Sequence, residues 1–344
     1  MSNKNNTYKI TFLLLIAILI ACFLVNISLG SVSIPLKAII NSIIGNPTEK
    51  ETWQYIIINY RLPKALTAVI VGSGLGISGL LMQTLFRNPL AGPFVLGISS
   101  GASLGVALVI LGSGIFGGIL STLAISKWGI VLAASLGSFL VLFAVLMVSI
   151  KVRDTMAILI IGLMFASLTA AIVSVLSFFG SAEQLQQYVF WGFGSLGNLS
   201  WKDLGILIAI YSIGIILAIA SIKALNTLLL GENYAKSLGL NIKQSRLLII
   251  ISTSLLAGTI TAFTGPIAFI GLAIPHITRQ VFNISNHKTL IPAVFLLGAI
   301  VMLICDSIAQ LPNSDYTLPI NAITALIGAP VVIWLLVRKQ KMVF

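Results

Sequence analysis

Of the 344 residues, 58% are hydrophobic and only 8% are charged. A soluble domain carries about 25% charged residues, so this composition excludes a chain with a fully water-facing surface and points to a polytopic membrane protein. The two cysteines, Cys22 and Cys305, lie in apolar runs where neither a disulfide framework nor a thiolate metal site is expected.

Taken in chain order, ten apolar segments predict spanning helices, at 10–30, 65–86, 95–112, 128–150, 156–179, 204–222, 247–264, 266–283, 290–305 and 320–337. Each is near the roughly 20 residues that cross the hydrocarbon. The expected fold is therefore all-α, with residues 1–344 as a single transmembrane domain. In the first segment, Leu19, Ile20, Ala21 and Cys22 resemble a lipoprotein cleavage box, but the apolar run continues through Val25, which favours a retained helix. The run 247–283 is too long for one crossing, and Gly265-Pro266 is the natural break. The longest polar intervals are 31–60 and 180–203 outside, and 223–246 inside.

Placing the N-terminus inside leaves only Lys37, Lys50, Arg61, Lys64, Lys127 and Lys202 outside among the 20 basic residues. Asp154 and Glu232 are the inner acids, so the inner face carries the whole net charge of +12. That distribution is a topology signal with both termini cytoplasmic. It is not a nucleic-acid surface, which would need its basic residues gathered on a soluble domain.

Arg61 leads into a segment with Gly72 and then Gly92-Pro93, while Arg246 leads into one with Gly258 and then Gly265-Pro266. The topology makes these segments cross in opposite directions, so the expected internal repeat is inverted, as in many transporter folds. Gly72 and Gly76, and Gly97, Gly101 and Gly105, recur at four-residue spacing, which lines one helix face with small residues and lets backbones approach.

Several patterns imitate enzyme motifs. Gly74, Gly76 and Gly79 satisfy GxGxxG but sit inside an apolar helix with no preceding strand, so dinucleotide binding is rejected. No GxxxxGK[ST] loop exists, so this chain does not bind ATP in that manner. Gly97, Ser99 and Gly101 match GxSxG, leaving an intramembrane serine hydrolase as a remote alternative that would need a base and oxyanion donors. All the acids fall in loops or, like Asp306, at a segment end, which disfavours the other alternative, an ion-coupled secondary transporter. His276 and His287 lack neighbouring ligands, so no metal site is expected.

Separated segments then match one family in order and spacing: RLPK at 61–64, Gln83 with RNPLA at 87–91 (Arg87, Asn88, Pro89, Leu90, Ala91), WGFGSLG at 191–197, LGENYAKSLGL at 230–240, GPIAFIGLAIPHITR at 265–279 and LIGAP at 326–330. The set resembles the permease subunits of ABC importers for iron siderophores, haem and vitamin B12, with Gly97, Gly101, Gly265, Gly271, Pro275, His276, Arg279, Gly328 and Pro330 as further signature or packing positions. The resemblance implies a homodimeric ten-helix permease in the bacterial inner membrane, joined by two ATP-binding subunits inside and a substrate-binding protein outside. ATP and Mg would belong to the partner subunit, with no cofactor in this chain.

By the same resemblance, the interval 230–246 supplies coupling helices for the ATPase, through Leu230, Gly231, Glu232, Ala235, Leu238 and Gly239. Locally, Glu232 opens a short helix, Gly239 caps it and Asn241 caps another short run. Arg61 and Lys64 resemble a basic pair that meets acids on the binding protein, while Gln310 and Asn321 depart from the family's usual residues there. Arg153, Asp154 and Thr155 resemble the region of the cytoplasmic gate.

Overall fold

Ten predicted segments all become helix in the computed structural model, which describes residues 2–32, 34–116, 118–151, 155–311, 314 and 316–337. In chain order the helices are α1 (Ser2–Ser28), α2 (Leu36–Ile44), α3 (Glu51–Ile56), α4 (Leu62–Leu85), α5 (Ile98–Ile110), α6 (Ser113–Phe116), α7 (Ile119–Ile125), α8 (Lys127–Lys151) and α9 (Thr155–Phe179). There follow α10 (Ala182–Gly192), α11 (Trp201–Ala220), α12 (Ile222–Leu228), α13 (Glu232–Ser237), α14 (Ile242–Thr264), α15 (Ile270–Phe282), α16 (His287–Ala309) and α17 (Ile320–Val337). No strand occurs among the described residues.

Among the described residues, seven helices are long and apolar enough to cross a membrane, namely α1, α4 with the turns before it, α8, α9, α11, α14 and α16. The helix containing α4 begins at Glu51 and runs 35 residues, earlier than the sequence suggests. Pro63 cannot donate to the preceding turn, and the chain widens just before it into a π turn, Ile57–Arg61, that keeps the helix continuous.

α5 and α15 have 13 residues each, about 20 Å of helix against the roughly 30 Å of hydrocarbon. Each follows a break in the α-helical path at a Gly-Pro pair, a 3-10 turn over Pro93–Leu96 before α5 and irregular chain over residues 265–269 before α15. Irregular backbone at membrane depth is tolerated only where protein surrounds it, and Gly92, Pro93, Gly97, Gly265 and Ile267 are all buried. Each short helix also starts after a residue of positive φ, Gly97 at 77° and Phe269 at 66°. The repeat read from the sequence is therefore a repeat of local structure: long helix, Gly-Pro break, left-handed residue, short helix.

The chain forms two compact units, one built from the residues up to Ile77, Ser195–Ala209 and Ala268 onward, the other from Ser78–Gly194 and Ile210–Ile267. In the first, the start of α4 packs on α16 so closely that a Cβ on Gly72 would stand 2.1 Å from the Gly298 carbonyl oxygen. α1 lies along α16 and α15, with Phe12 and Phe282 ring centroids 5.0 Å apart over a cluster of Leu15, Ala293 and Ile300. In the second unit, α5 meets α8 backbone to backbone: a Cβ on Gly101 would lie 2.5 Å from the Gly137 oxygen, and one on Gly105 2.0 Å from that of Ala133. α14 joins this group, with Gly258 opposite Ile98 and Ser138. Each unit thus combines the later helices of one copy of the repeat with the first helix of the other copy. Gly76, from the GxGxxG pattern, faces Val294 and Ile274, and with Gly101 from the GxSxG pattern it serves packing.

Candidate functional site

In the second unit, α12 and α13 form a compact pair of short helices. Gly231 begins α13 at φ 101°, Glu232 supplies an acid in its first turn, and Gly239 at φ 84° lets the chain reverse. Asn241 then caps α14, its Oδ1 accepting from the Gln244 amide at 3.2 Å. The caps fall where the sequence placed them, but the run after Asn241 is the start of the long α14, and the companion helix is α12. Arg246 Nη2 donates to Glu232 Oε1 at 3.2 Å, tying α13 to α14. Ala235 is fully buried beneath.

The pair leaves three large apolar side chains open beside the polar Asn233, Lys236 and Ser237. Leu230, Tyr234 and Leu238 are 59%, 71% and 67% exposed, at four-residue spacing along α13 and its two ends. Tyr234 is absent from the sequence-based set, although its spacing from Leu230 and Leu238 was the signal that could have found it. The RNPLA turn lies alongside, with Arg87 Nη1 3.3 Å from where a Cβ of Gly231 would sit. That turn is built by Asn88, whose Oδ1 accepts from the Leu90 amide at 2.9 Å; Pro89 fixes its φ, Ala91 is buried, and Leu90 is exposed. Gln83 is buried above it in α4. Replacing Gly239 with alanine meets no atom within 4 Å, so the expected cost is conformational, about 1 kcal/mol. The measurable outcome is a looser α13 by amide hydrogen exchange, with the rest of the protection pattern unchanged.

In the first unit, Arg61 and Lys64 both have partners within the chain. Arg61 donates to the carbonyls of Ile27 at 2.7 Å and Ser28 at 2.9 Å, and to that of Val32, closing the end of α1 where carbonyls lack helical partners. Lys64 Nζ lies 3.2 Å from Asp306 Oδ1, with the lysine side chain 22% exposed and the aspartate 4%. Asp306 Oδ2 also accepts from Asn26 Nδ2 at 2.9 Å and Gln310 Nε2 at 2.8 Å. Gln310 thus stabilises a buried carboxylate. Asn321 is structural as well: its Oδ1 accepts from the Ala268 amide at 3.0 Å and pins the stretch before α15.

Asp306→Ala would strand Lys64 and two amides, so the expected loss is about 3 kcal/mol. Asp306→Asn, which keeps one acceptor, should lose less. Thermal unfolding of the purified protein in detergent measures both, and equal stability of wild type and the alanine variant would refute the ledger of contacts.

The remaining signature residues are mostly packing. A Cβ on Gly265 would lie 2.6 Å from the Trp191 oxygen, so the WGFGSLG and GPIAFIG segments meet there. Gly271, Pro275 and His276 are buried on α15. Arg279 stands in its last turn, and its carbonyl accepts from the Asn283 cap. Gly328 on α17 passes Phe269 with 2.4 Å between its would-be Cβ and the Phe269 Cβ, and Pro330 lies in the same helix. Of the three residues expected near a gate, Arg153 and Asp154 lie outside the described residues, and Thr155 opens α9.

Residues 18–338 match the FecCD transport family. The chain belongs to this family. Among its relatives, the vitamin B12 import system permease protein BtuC of Klebsiella pneumoniae is 38% identical over 83% of this chain and 84% of that protein. The hemin transport system permease protein HmuU of Yersinia pestis is 33% identical over 96% of this chain and 95% of that protein. A solved structure of a metal-chelate type ABC transporter in an inward-facing conformation superposes with a TM-score of 0.83 at 31% identity, covering 95% of this chain and 99% of that one. The FecCD permease is accordingly a multi-pass membrane subunit of an ABC importer and not an enzyme, with ATP hydrolysis and substrate capture belonging to separate subunits. The serine-hydrolase and secondary-transporter alternatives fall away.

Proposed function

We propose that the chain is a single permease domain that acts as a homodimer in the bacterial inner membrane, with both termini cytoplasmic and lipid around its spans. It would import a metal chelate: cobalamin or haem, as the names of its relatives suggest, or a siderophore complex, which is a chelate of the same class. The observation that carries the reading is the apolar face of Leu230, Tyr234 and Leu238 on a braced hairpin of α12 and α13. Such a rigid, uncovered pair of helices suits a groove on each of two ATP-binding subunits, which would hold ATP and Mg and pass a rigid-body movement to the permease. Gly231, Glu232, Ala235 and Gly239 shape the pair.

Outside, a substrate-binding protein would dock near Arg61 and Lys64; because both side chains already have internal partners, they would act there mainly by shaping the surface. The turn at Arg153, Asp154 and Thr155 belongs near the inner gate in this reading. The two copies of the repeat would run in opposite senses across the membrane.

The test is uptake of cobalamin, haemin and a ferric siderophore by proteoliposomes containing the permease with its ATP-binding subunits and binding protein. Uptake of one of these chelates should require ATP and both partners. Uptake driven by an ion gradient with the partners omitted would overturn the proposal.

A further inference from the structure

The outer interval 31–60 reads as polar in sequence, yet it contains a nine-residue helix with an uncovered aliphatic face. α2 starts after Pro35 and stops at Gly45, whose φ of 85° and bond to the Ser42 carbonyl close its end. Ala38, Ile39 and Ser42 turn inward, while Leu36, Ile40, Ile43 and Ile44 are 47%, 41%, 47% and 68% exposed. At 100° per residue these four fill one continuous arc of about 100°, and Lys37 borders it.

We infer that α2 lies in the outer-leaflet interface, its Leu36, Ile40, Ile43 and Ile44 arc embedded among lipid acyl chains. The occupant follows from where the helix is held. Arg61 clasps the carbonyls of Ile27, Ser28 and Val32, so the connection from α1 is short and pinned and α2 sits at the outer end of a spanning helix. α1 is long and apolar enough to cross a membrane, and its exposed aliphatic surface, including Leu13, Ile20 and Val25, leads up to that level. The neighbouring segment has the composition of an interface. Tyr55 and Tyr60 are exposed with ring centroids 5.9 Å apart, and Lys50 lies 5.1 Å over the ring of Trp53. Amphipathic helices with a bordering lysine and flanking aromatics bury their apolar side in the boundary between headgroups and acyl chains.

The experiment places single cysteines at Ile40, Ile43 and Ile44 of the full chain, with Asn46→Cys as the solvent control, after replacing Cys22 and Cys305 with alanine. Spin-labelled protein is reconstituted in vesicles of phosphatidylcholine and phosphatidylglycerol at three to one. Collision rates with oxygen and with a water-soluble nickel chelate are then compared. The expected result is oxygen favoured several-fold over the chelate at the three helix positions, relative to the control. Chelate access equal to that at Asn46 would overturn the inference. So would shielding from both reagents that appears only when a substrate-binding protein is added, because α2 would then be a protein-docking surface. All three positions are exposed, so any one variant that folds suffices to read the result.

Discussion

Aspartate at both Tyr234 and Leu238 is expected to abolish ATP-driven uptake while leaving the permease folded. Both side chains are mostly exposed, and surface changes of this kind usually alter stability by no more than about 0.5 kcal/mol. Their expected role lies in the interface with the ATP-binding subunit, where a buried aromatic or apolar anchor is typically worth about 2 kcal/mol or more. Losing two, and placing two carboxylates in a desolvated contact, weakens association by about 4 kcal/mol or roughly a thousandfold. Affinity of the purified permease for the ATP-binding subunit, read beside its melting temperature, separates the two quantities. Normal affinity with both aspartates present would show that the hairpin face is not where the ATPase sits. Asn233→Asp adds one carboxylate on the same short helix but off that face, and should have little effect.

Leucine at Gly72 is the second large perturbation, and it acts through folding. The missing side chain leaves room for two helix backbones to touch, since a Cβ there would lie 2.1 Å from the Gly298 oxygen and 2.6 Å from the Met302 Cβ. Backbone cannot move aside as a flexible side chain would, so the helices must separate. Overpacking in ordinary cores costs about 1–3 kcal/mol, and this position should exceed that range. Gly298→Leu should behave alike, because a Cβ there would meet the Gly72 oxygen at 2.4 Å. Gly205→Ala is the control: nothing lies within 4 Å of its would-be Cβ, and alanine has the better helix propensity. Folded yield in detergent should collapse for the two leucine variants and hold for the control. Equal yields would mean that α4 and α16 pack differently.

The contrast between these two sites explains what was legible in the sequence. The hairpin at Leu230–Asn241 is made by local signals, an acid in the first turn, a glycine past the last and an asparagine cap, so it could be read without knowing any distant contact. The ten apolar segments were visible for the same reason. The partners of Gln310, Asn321 and Lys64 were not, because nothing near them in sequence indicates which helix will arrive alongside. Gln310 and Asn321 looked like departures from a docking pattern, whereas each satisfies a polar group inside the fold. α2 was hidden by scale: a nine-residue helix between polar turns gives too short a periodic signal beside spans of about twenty.

Asn26 has a consequence of another kind. α1 is aliphatic on almost every side, and lipid solvates leucine as well as a neighbouring helix does, so burial alone gives this helix little reason to prefer one face. The Asn26 amide bonds Asp306 and Ser307 across the contact, at 2.9 and 3.0 Å. Hydrogen bonds have direction where dispersion does not, and this pair fixes the angle at which α1 is rotated about its own axis. One side chain near the end of the helix thereby sets, together with the Phe12 and Leu15 contacts further along, which aliphatic residues of α1 meet the rest of the protein.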